Sequence, residues 1–514
     1  MSELAPHTPQ LVVPAAPLVL RPYQERDVAA TREHFAQGAR RVLYVAPTGS
    51  GKTVIFAHVV AGATARGNRT FVLVHRDELI QQTTAKLDQI GVAHGVIAAG
   101  YSELPLLPVQ VCSVMTLVRR LDRLPAPPDF LVIDECQHAV AGTWKKILAA
   151  FPQAWLLGVT ATPERLDGKG LGDIFDVMVL GPTVEELVAQ EYLSKFTTFA
   201  PARGPNLSGV RTRAGDFAID DLAMAMSDGV IIGAAVEEYT RRCAGAPAIV
   251  FCVNIEHSEL VAARFVEAGN RFAHLDGNTP ADERRALIAA LGAGELQGIT
   301  NCGLISEGTD IPAVTAAILL RPTKSLALHL QQVGRALRPA PGKQRALILD
   351  HAGNTWTHGL ADAPHAWSLA GRPKRKGLAP VRRCFECGAI VPAAVFVCPE
   401  CGTELRTREL IETDGAALIE ADRLVVMSYR QCLRWAGDNE RRLRLVAKAR
   451  GYKRGWVWHR MQEIMSGECD DGSRTSGGVH FARSRCPRDA SWDGWHGACA
   501  RSSAQGADKK PPHV

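Results

Sequence analysis

The octapeptide Ala46-Pro47-Thr48-Gly49-Ser50-Gly51-Lys52-Thr53 follows the apolar run Arg41 to Val45 and precedes a helical pattern. Strand, glycine loop and helix in that order demand a buried parallel strand that releases its chain onto a helix N-terminus, so they select an α/β sheet. Thr48, Gly49, Ser50 and Gly51 can turn backbone N–H groups toward phosphate oxygens. Lys52 supplies a cation to the outer phosphates, and the Thr53 hydroxyl can ligate Mg2+. Ala46 stands where the general pattern has its first glycine, and this chemistry does not depend on that position.

Buried-strand runs recur at Thr70 to Val74, Val109 to Val111, Phe130 to Ile133 and Trp155 to Val159, each leading into a polar or helical stretch. The alternation restarts at Ala248 to Val253 and continues through Arg271 to Leu275, Gly298 to Thr300, Ala316 to Leu320 and Ala346 to Leu349. Two tandem doubly wound parallel sheets are therefore expected, which suits 514 residues, more than one core usually serves. The expected order is a flexible lead-in over 1–17, a first α/β domain over 18–180, a connector over 181–226 and a second α/β domain over 227–360. A basic linker over 361–383, a cysteine module over 384–402, a basic helical segment over 425–466 and a disordered tail over 467–514 complete it.

Leu131-Val132-Ile133-Asp134-Glu135 sets two carboxylates at the end of a buried strand, 82 residues beyond Lys52 for the aspartate. There Asp134 can hold Mg2+ and Glu135 can orient an attacking water, so the two motifs together define an NTPase. Asp134-Glu135-Cys136-Gln137 with Thr160-Ala161-Thr162-Pro163 resembles motifs II and III of superfamily 2 helicases, the DEAD/DEAH-box class. Arg21-Pro22-Tyr23-Gln24 is similar to the adenine-reading motif, and Val74-His75-Arg76-Asp77-Glu78-Leu79 to motif Ia. The stretches Asn301 to Pro312 and Gln331 to Pro339 resemble motifs V and VI, so the likeness covers Gln24 to Pro339 in family order. The stretches Thr162 to Leu171 and Asp350 to Asn354, followed by the cysteine pairs, narrow the resemblance to the bacterial and phage RadD-like repair helicases.

The resemblance implies two RecA-like domains with ATP between them. Arg335 and Arg338 would reach the γ-phosphate from the second domain, Gly308 and Asp310 would sense the nucleotide, and Thr160 and Thr162 would link the site to nucleic acid. A strand would cross the tops of both domains on phosphate contacts, with His75, Arg76, Ser113 and Thr116 as candidates in the first and Thr300 in the second. Gln137 stands where the family usually has histidine, and is expected to hydrogen-bond across the domain interface. DNA is the expected partner, with RNA second; a restriction-system motor and an ATP-gated clamp stand as alternatives. The resemblance further suggests single-strand-binding protein or recombinase as protein partners.

Cys384-x2-Cys387 and Cys398-x2-Cys401 lie ten residues apart, each pair followed by glycine, Gly388 and Gly402. Four thiolates in two such knuckles can hold a tetrahedral Zn2+ and fold a ribbon too small for a core of its own. The chain holds 13 cysteines, and the lack of close pairing in the others suits a reducing compartment, hence a cytoplasmic protein without a membrane span. Net charge is only +6, yet Arg430, Arg434, Arg441, Arg442, Arg444, Lys448, Arg450, Lys453, Arg454 and Arg460 cluster near the end, with Tyr452, Trp456 and Trp458 among them. Cations with flat rings suit an accessory nucleic-acid surface; the alternative is a solvated helix whose rings fill a small core.

Overall fold

The computed structural model describes residues 19–139, 142–165, 168–213, 215–243, 245–303, 314–371, 379–405, 429–452 and 455–466. The expected lead-in 1–17, Gly308 and Asp310, the linker cations Arg372, Lys374, Arg375 and Lys376, and the tail 467–514 lie outside the described residues. The chain divides into two compact units, Met1–Thr407 and Arg408–Val514.

The larger unit holds two sheets. In the first, β1 (Arg41–Val45), β2 (Thr70–Val74), β3 (His94–Ile97), β4 (Val109–Ser113), β5 (Phe130–Asp134), β6 (Trp155–Thr160) and β7 (Val177–Leu180) stand in the order 3-4-2-5-6-1-7, all parallel. Every residue of β2 and β5 is buried, which is why both read as unbroken apolar runs. Successive residues serve opposite faces: Val42 and Tyr44 belong to one core cluster, Leu43 and Val45 to the other.

The second sheet repeats the plan with β8 (Phe196–Phe199), β11 (Ala248–Phe251), β12 (Phe272–Leu275), β13 (Gly298–Asn301), β14 (Ala316–Leu319) and β15 (Ala346–Asp350), parallel in the order 12-13-11-14-15-8. A small hairpin, β9 (Thr212–Arg213) with β10 (Asp216–Phe217), stands apart from it. The stretch 181–226, expected as a connector, thus supplies a strand of this sheet. Past β8 the sheet turns antiparallel: β17 (Ala389–Pro392) pairs with β8, and β16 (Val381–Arg383) pairs with β17. The cysteine module is built on that hairpin.

The first part of the expected basic linker is not a free spacer. Ala361 is buried in the core of the second lobe, while Trp367 and Leu369 pack against the core of the first. Leu369 O accepts from Gly172 N at 2.9 Å, and Gly371 bridges to Lys169. This strap lines a cavity of about 130 Å³ together with Ala46, Thr48, Gly334 and Leu337.

Among its described residues the smaller unit has three short helices, Tyr429–Ala436, Glu440–Ala449 and Trp456–Ser466. Cys432, Ala436, Leu443 and Val446 form its buried centre, with Trp435, Tyr452, Trp456, Met461 and Ile464 packed around them. Among the described residues, no helix is long and apolar enough to cross a membrane.

Candidate active site

β1 delivers the phosphate loop, and helix Lys52–Thr64 begins at once behind it, with Gly51 left-handed at φ +79°. A Cβ on Gly51 would stand 2.6 Å from Gln24 Nε2, so both the conformation and the close approach call for glycine here. Lys52 Nζ donates to Ala46 O at 3.2 Å and Pro47 O at 3.3 Å, and Thr53 follows in the same first turn. Burial pushes the Lys52 ammonium below its ordinary range, opposed by the Glu135 and Asp134 carboxylates and reinforced by Arg335 and Arg338. One lysine thus feels two carboxylates from the first lobe and two guanidinium groups from the second.

Asp134 ends β5, and its Oδ1 accepts from Glu135 N at 3.0 Å. Glu135 has φ +51°, a region that costs a side-chain-bearing residue about 1–3 kcal/mol and concentrates at functional sites. Its Oε2 accepts from Gln137 Nε2 at 3.0 Å, and Gln137 Oε1 accepts from Thr160 Oγ1 at 2.7 Å. Thr162 N donates back to Thr160 Oγ1 at 3.0 Å. The expectation for Gln137 is corrected by this chain: its amide bridges Glu135 to Thr160 inside the first lobe, because the two strand ends β5 and β6 are neighbours.

The second lobe enters through helix Leu326–Ala336, capped by Ser325 Oγ accepting from Leu328 N at 3.3 Å. A Cβ on Gly334 would fall 2.6 Å from Thr48 Cβ, so the helix approaches the phosphate loop as closely as a backbone can. The next residue, Arg335, is buried, and Arg338 Cγ lies 3.6 Å from where a Cβ on Gly49 would stand. The backbone carrying these arginines is held from behind. Ser194 N donates to Leu337 O at 2.7 Å and Ser194 Oγ to Arg338 O at 3.2 Å, while Lys343 Nζ donates to Val314 O at 2.7 Å, Arg338 O at 2.6 Å and Ala336 O. Burial pushes Lys343 down to about 8. Sequence reading missed Lys343, which lies seven residues past the end of helix Leu326–Ala336 and reaches its carbonyls only through the fold of the chain.

Gln24 is buried and engaged at both ends of its amide: Nε2 donates to Ser50 O at 3.3 Å, and Oε1 accepts from Arg21 N at 3.0 Å. Tyr23 OH donates to the same Ser50 O at 2.5 Å. Tyr192, which the sequence did not single out, brings its ring to 5.4 Å from that of Tyr23 and 4.3 Å from the Arg21 guanidinium. Together they make a flat, cationic edge beside the phosphate loop.

His75 and Arg76 follow the end of β2, and Arg76 Nη1 donates to Gly303 O of the second lobe at 3.2 Å. Close by in sequence, Glu78 pairs with Arg284, a second link between the lobes. Ser113 ends β4, Thr116 sits on the following turn, and both are partly exposed. Thr300 does not belong with them: it is wholly buried in β13, and its hydroxyl donates to Ser258 O at 2.9 Å. A threonine in a central strand satisfies its hydroxyl inside the fold and cannot meet a phosphate.

The Sγ atoms of Cys384, Cys387, Cys398 and Cys401 all lie within 4.8 Å of one another, with Cys384 to Cys401 at 3.6 Å and Cys387 to Cys398 at 3.7 Å. A disulfide needs about 2.05 Å, whereas four thiolates about 2.3 Å from a tetrahedral Zn2+ stand about 3.8 Å apart. The knuckles match each other: Gly388 N donates to Cys384 O at 3.1 Å and Gly402 N to Cys398 O at 2.9 Å, both glycines left-handed. Hydrogen bonds from Thr403 hold the exposed Cys401 thiol down at about 6, while burial pushes Cys387 up to about 12. The donor set fits a zinc ion. Arg242 Nη2 donates to Cys387 O at 3.2 Å and Arg383 Nε to Ala200 O at 3.1 Å, tying the module to the second sheet.

Two family models match the chain: "Type III restriction enzyme, res subunit" over residues 17–165 and "Helicase conserved C-terminal domain" over 233–340. A 51.5 kDa protein of a Lactococcus phage is 35% identical over 368 residues, covering 71% of this chain and 78% of that protein. A Saccharomyces cerevisiae protein assigned by name to the ATP-dependent helicases, IRC3, is 30% identical over 368 residues, covering 67% of this chain. The chain spans about half, 53%, of that yeast relative's length. Among solved structures, a fragment ascribed to the HsdR subunit of a type I restriction enzyme from Vibrio vulnificus superposes with a TM-score of 0.52 at 20% identity, covering 64% of each chain. That likeness is one of fold.

Proposed function

We propose that this chain, which belongs to the superfamily 2 helicases and hydrolyses ATP, is a DNA translocase of the RadD-like kind that works in repair or recombination. The observation that carries the reading is the meeting of Lys52, Asp134 and Glu135 with Arg335 and Arg338, since charges from two lobes around one lysine make hydrolysis depend on closure. Lys52 would hold the outer phosphates, Thr53 and Asp134 would hold Mg2+, and Gln24 with Arg21 and Tyr192 would receive the base. Bound Mg2+ would supply neutralisation of phosphate charge. Glu135 orients the water whose oxygen bonds to the γ-phosphorus as the bond to the β-phosphate oxygen breaks. Arg335 and Arg338 neutralise charge on the transferring group, a contribution of about 10³-fold or more.

Gln137 carries the state of Glu135 to Thr160 and Thr162, so hydrolysis is felt at the strand ends where nucleic acid would lie. His75, Arg76, Ser113 and Thr116 serve as phosphate contacts with weak sequence preference. DNA is favoured over RNA by the match to a restriction-enzyme subunit family and by the RadD-like stretches at Thr162 to Leu171 and Asp350 to Asn354. The four cysteines hold a structural Zn2+ that stabilises the β16–β17 hairpin.

The test is steady-state ATP hydrolysis with no nucleic acid, single-stranded DNA, duplex DNA, branched DNA and RNA, with Lys52→Ala and Arg338→Ala beside the native chain. Stimulation by DNA above RNA, lost in both variants, is the expected result. Equal turnover on every substrate and on none removes the translocase reading, and a preference for RNA removes the DNA assignment.

A further inference from the structure

Residues 429–466 hold ten Lys and Arg against three Asp and Glu, a net +7 where the entire chain carries +6. Positive charge is therefore concentrated in this stretch and nearly absent, on balance, from the rest of the chain. Two of the three acids in that stretch are taken by ion pairs, the exposed Arg444 with Glu440 and the half-buried Arg460 with exposed Glu463 at 2.8 Å, of which the first is weak enough to exchange for a phosphate.

The helices sort these charges. Gly437, left-handed at φ +53°, ends the first helix, and Asn439 begins the second by accepting from Arg442 N at 3.2 Å. The two helices are joined by three residues, the turn length of a helix–turn–helix. In helix Glu440–Ala449, Leu443 and Val446 face the core, which leaves Arg441, Arg444, Leu445 and Lys448 exposed along one stripe at three- and four-residue spacing.

The rings decide the kind of nucleic acid. Tyr452 and Trp456 lie with ring centroids 4.7 Å apart, tilted at 40°, against the small core, and exposed Tyr429 and Trp458 sit on other helices than the basic stripe. A single-strand platform needs successive exposed rings beside its cations. A ten-residue helix about 15 Å long, with cations along its outer face, instead fits a major groove about 12 Å wide, where phosphates line both walls.

We propose that the helices described over 429–466 form a duplex-DNA-binding module in which helix Glu440–Ala449 enters the major groove, with Arg441, Arg444 and Lys448 on phosphates and Leu445 toward the base edges. It rests on the reading of this chain as acting on DNA, and adds a second site separate from the ATP-driven one.

The test uses the full chain without nucleotide, native against a variant carrying Arg441→Gln, Arg444→Gln and Lys448→Gln, all exposed positions outside the small core. Fluorescence anisotropy on a 20-base-pair duplex and a 20-nucleotide single strand is measured across a salt series. The expected result is weaker duplex binding, a salt slope of log K shallower by about 2.7 from three lost phosphate contacts, and unchanged single-strand binding. Far-UV circular dichroism confirms the helices, and Leu445→Ala, which keeps every charge, lowers duplex affinity without changing the slope. Unaltered duplex affinity and slope overturn the proposal, as does equal loss on the single strand, which would mark a strand-tracking surface. Because binding is read without hydrolysis, failure of the translocase reading shows only in the turnover assay and failure of this module only here.

Discussion

The two parallel sheets of the larger unit share a plan and differ in how they present chemistry. The first places its groups directly at strand ends, with the phosphate loop after β1 and Asp134 and Glu135 at and after β5, each pinned by a five-residue buried strand. The second presents Arg335 and Arg338 from a helix and the residues after it, set by Gly334 against Thr48 and by Ser194 and Lys343 behind the carbonyls. Groups proposed to hold a nucleotide are thus fixed locally, and groups proposed to activate it are fixed by long-range packing. Binding and turnover should be separable by mutation.

Arg335→Ala is the strongest attempt to break that contrast. It should lower kcat about 10³-fold while ATP affinity, measured by equilibrium binding, stays within a few-fold; parallel loss of affinity would show that both lobes bind. Gln137→Ala cuts the link from Glu135 to Thr160 and should reduce DNA-stimulated turnover about 10- to 100-fold with unstimulated turnover less affected, checked by the ratio of the two rates. Cys398→Ser should remove about one zinc per chain by mass spectrometry and lower the unfolding midpoint by roughly 5 °C through the second sheet alone. Hydrogen exchange would show whether the first sheet keeps its protection.

Two smaller effects sharpen the picture. His257, buried in the second lobe with its Nδ1 accepting from Val253 N at 3.2 Å, is held down at about 4 by burial. The unfolded chain takes a proton near 6.5 that the folded one refuses until about 4, so this stability is complete above 6.5 and lost as pH falls toward 4. Denaturant unfolding should show His257→Gln losing about 2–3 kcal/mol less than the native chain between pH 7 and pH 4.5. Arg284→Ala, which removes the Glu78 pair between the lobes, should cost about 1 kcal/mol or less, read the same way.

How much was legible in the sequence follows the same division. The central strands β1, β2, β5 and β6 could be placed because burial on both faces leaves an unbroken apolar run. The edge strand β3, four residues with His94 and Gly95, and the distant β8 and β17 could not, since their pairing partners lie far along the chain. The phosphate loop and Asp134 were visible as local patterns. Thr300, the partners of Gln137, Lys343 and Tyr192 depend on which element packs beside them, and a one-dimensional pattern does not carry that. Tyr452 and Trp456 illustrate the point: rings among cations look the same on paper whether they stack on bases or fill a core.

The strap after the second sheet sets a ruler for the cleft. Ala361 is sunk in one lobe and Trp367 rests on the other, six residues further on. Six extended residues span at most about 20 Å. The distance between those two anchorage points can never exceed that length while both hold, so any wider stroke must first pull the indole from its seat. The separation of the two lobes is thereby capped by a count of residues, and lengthening the strap would be expected to lengthen the excursion.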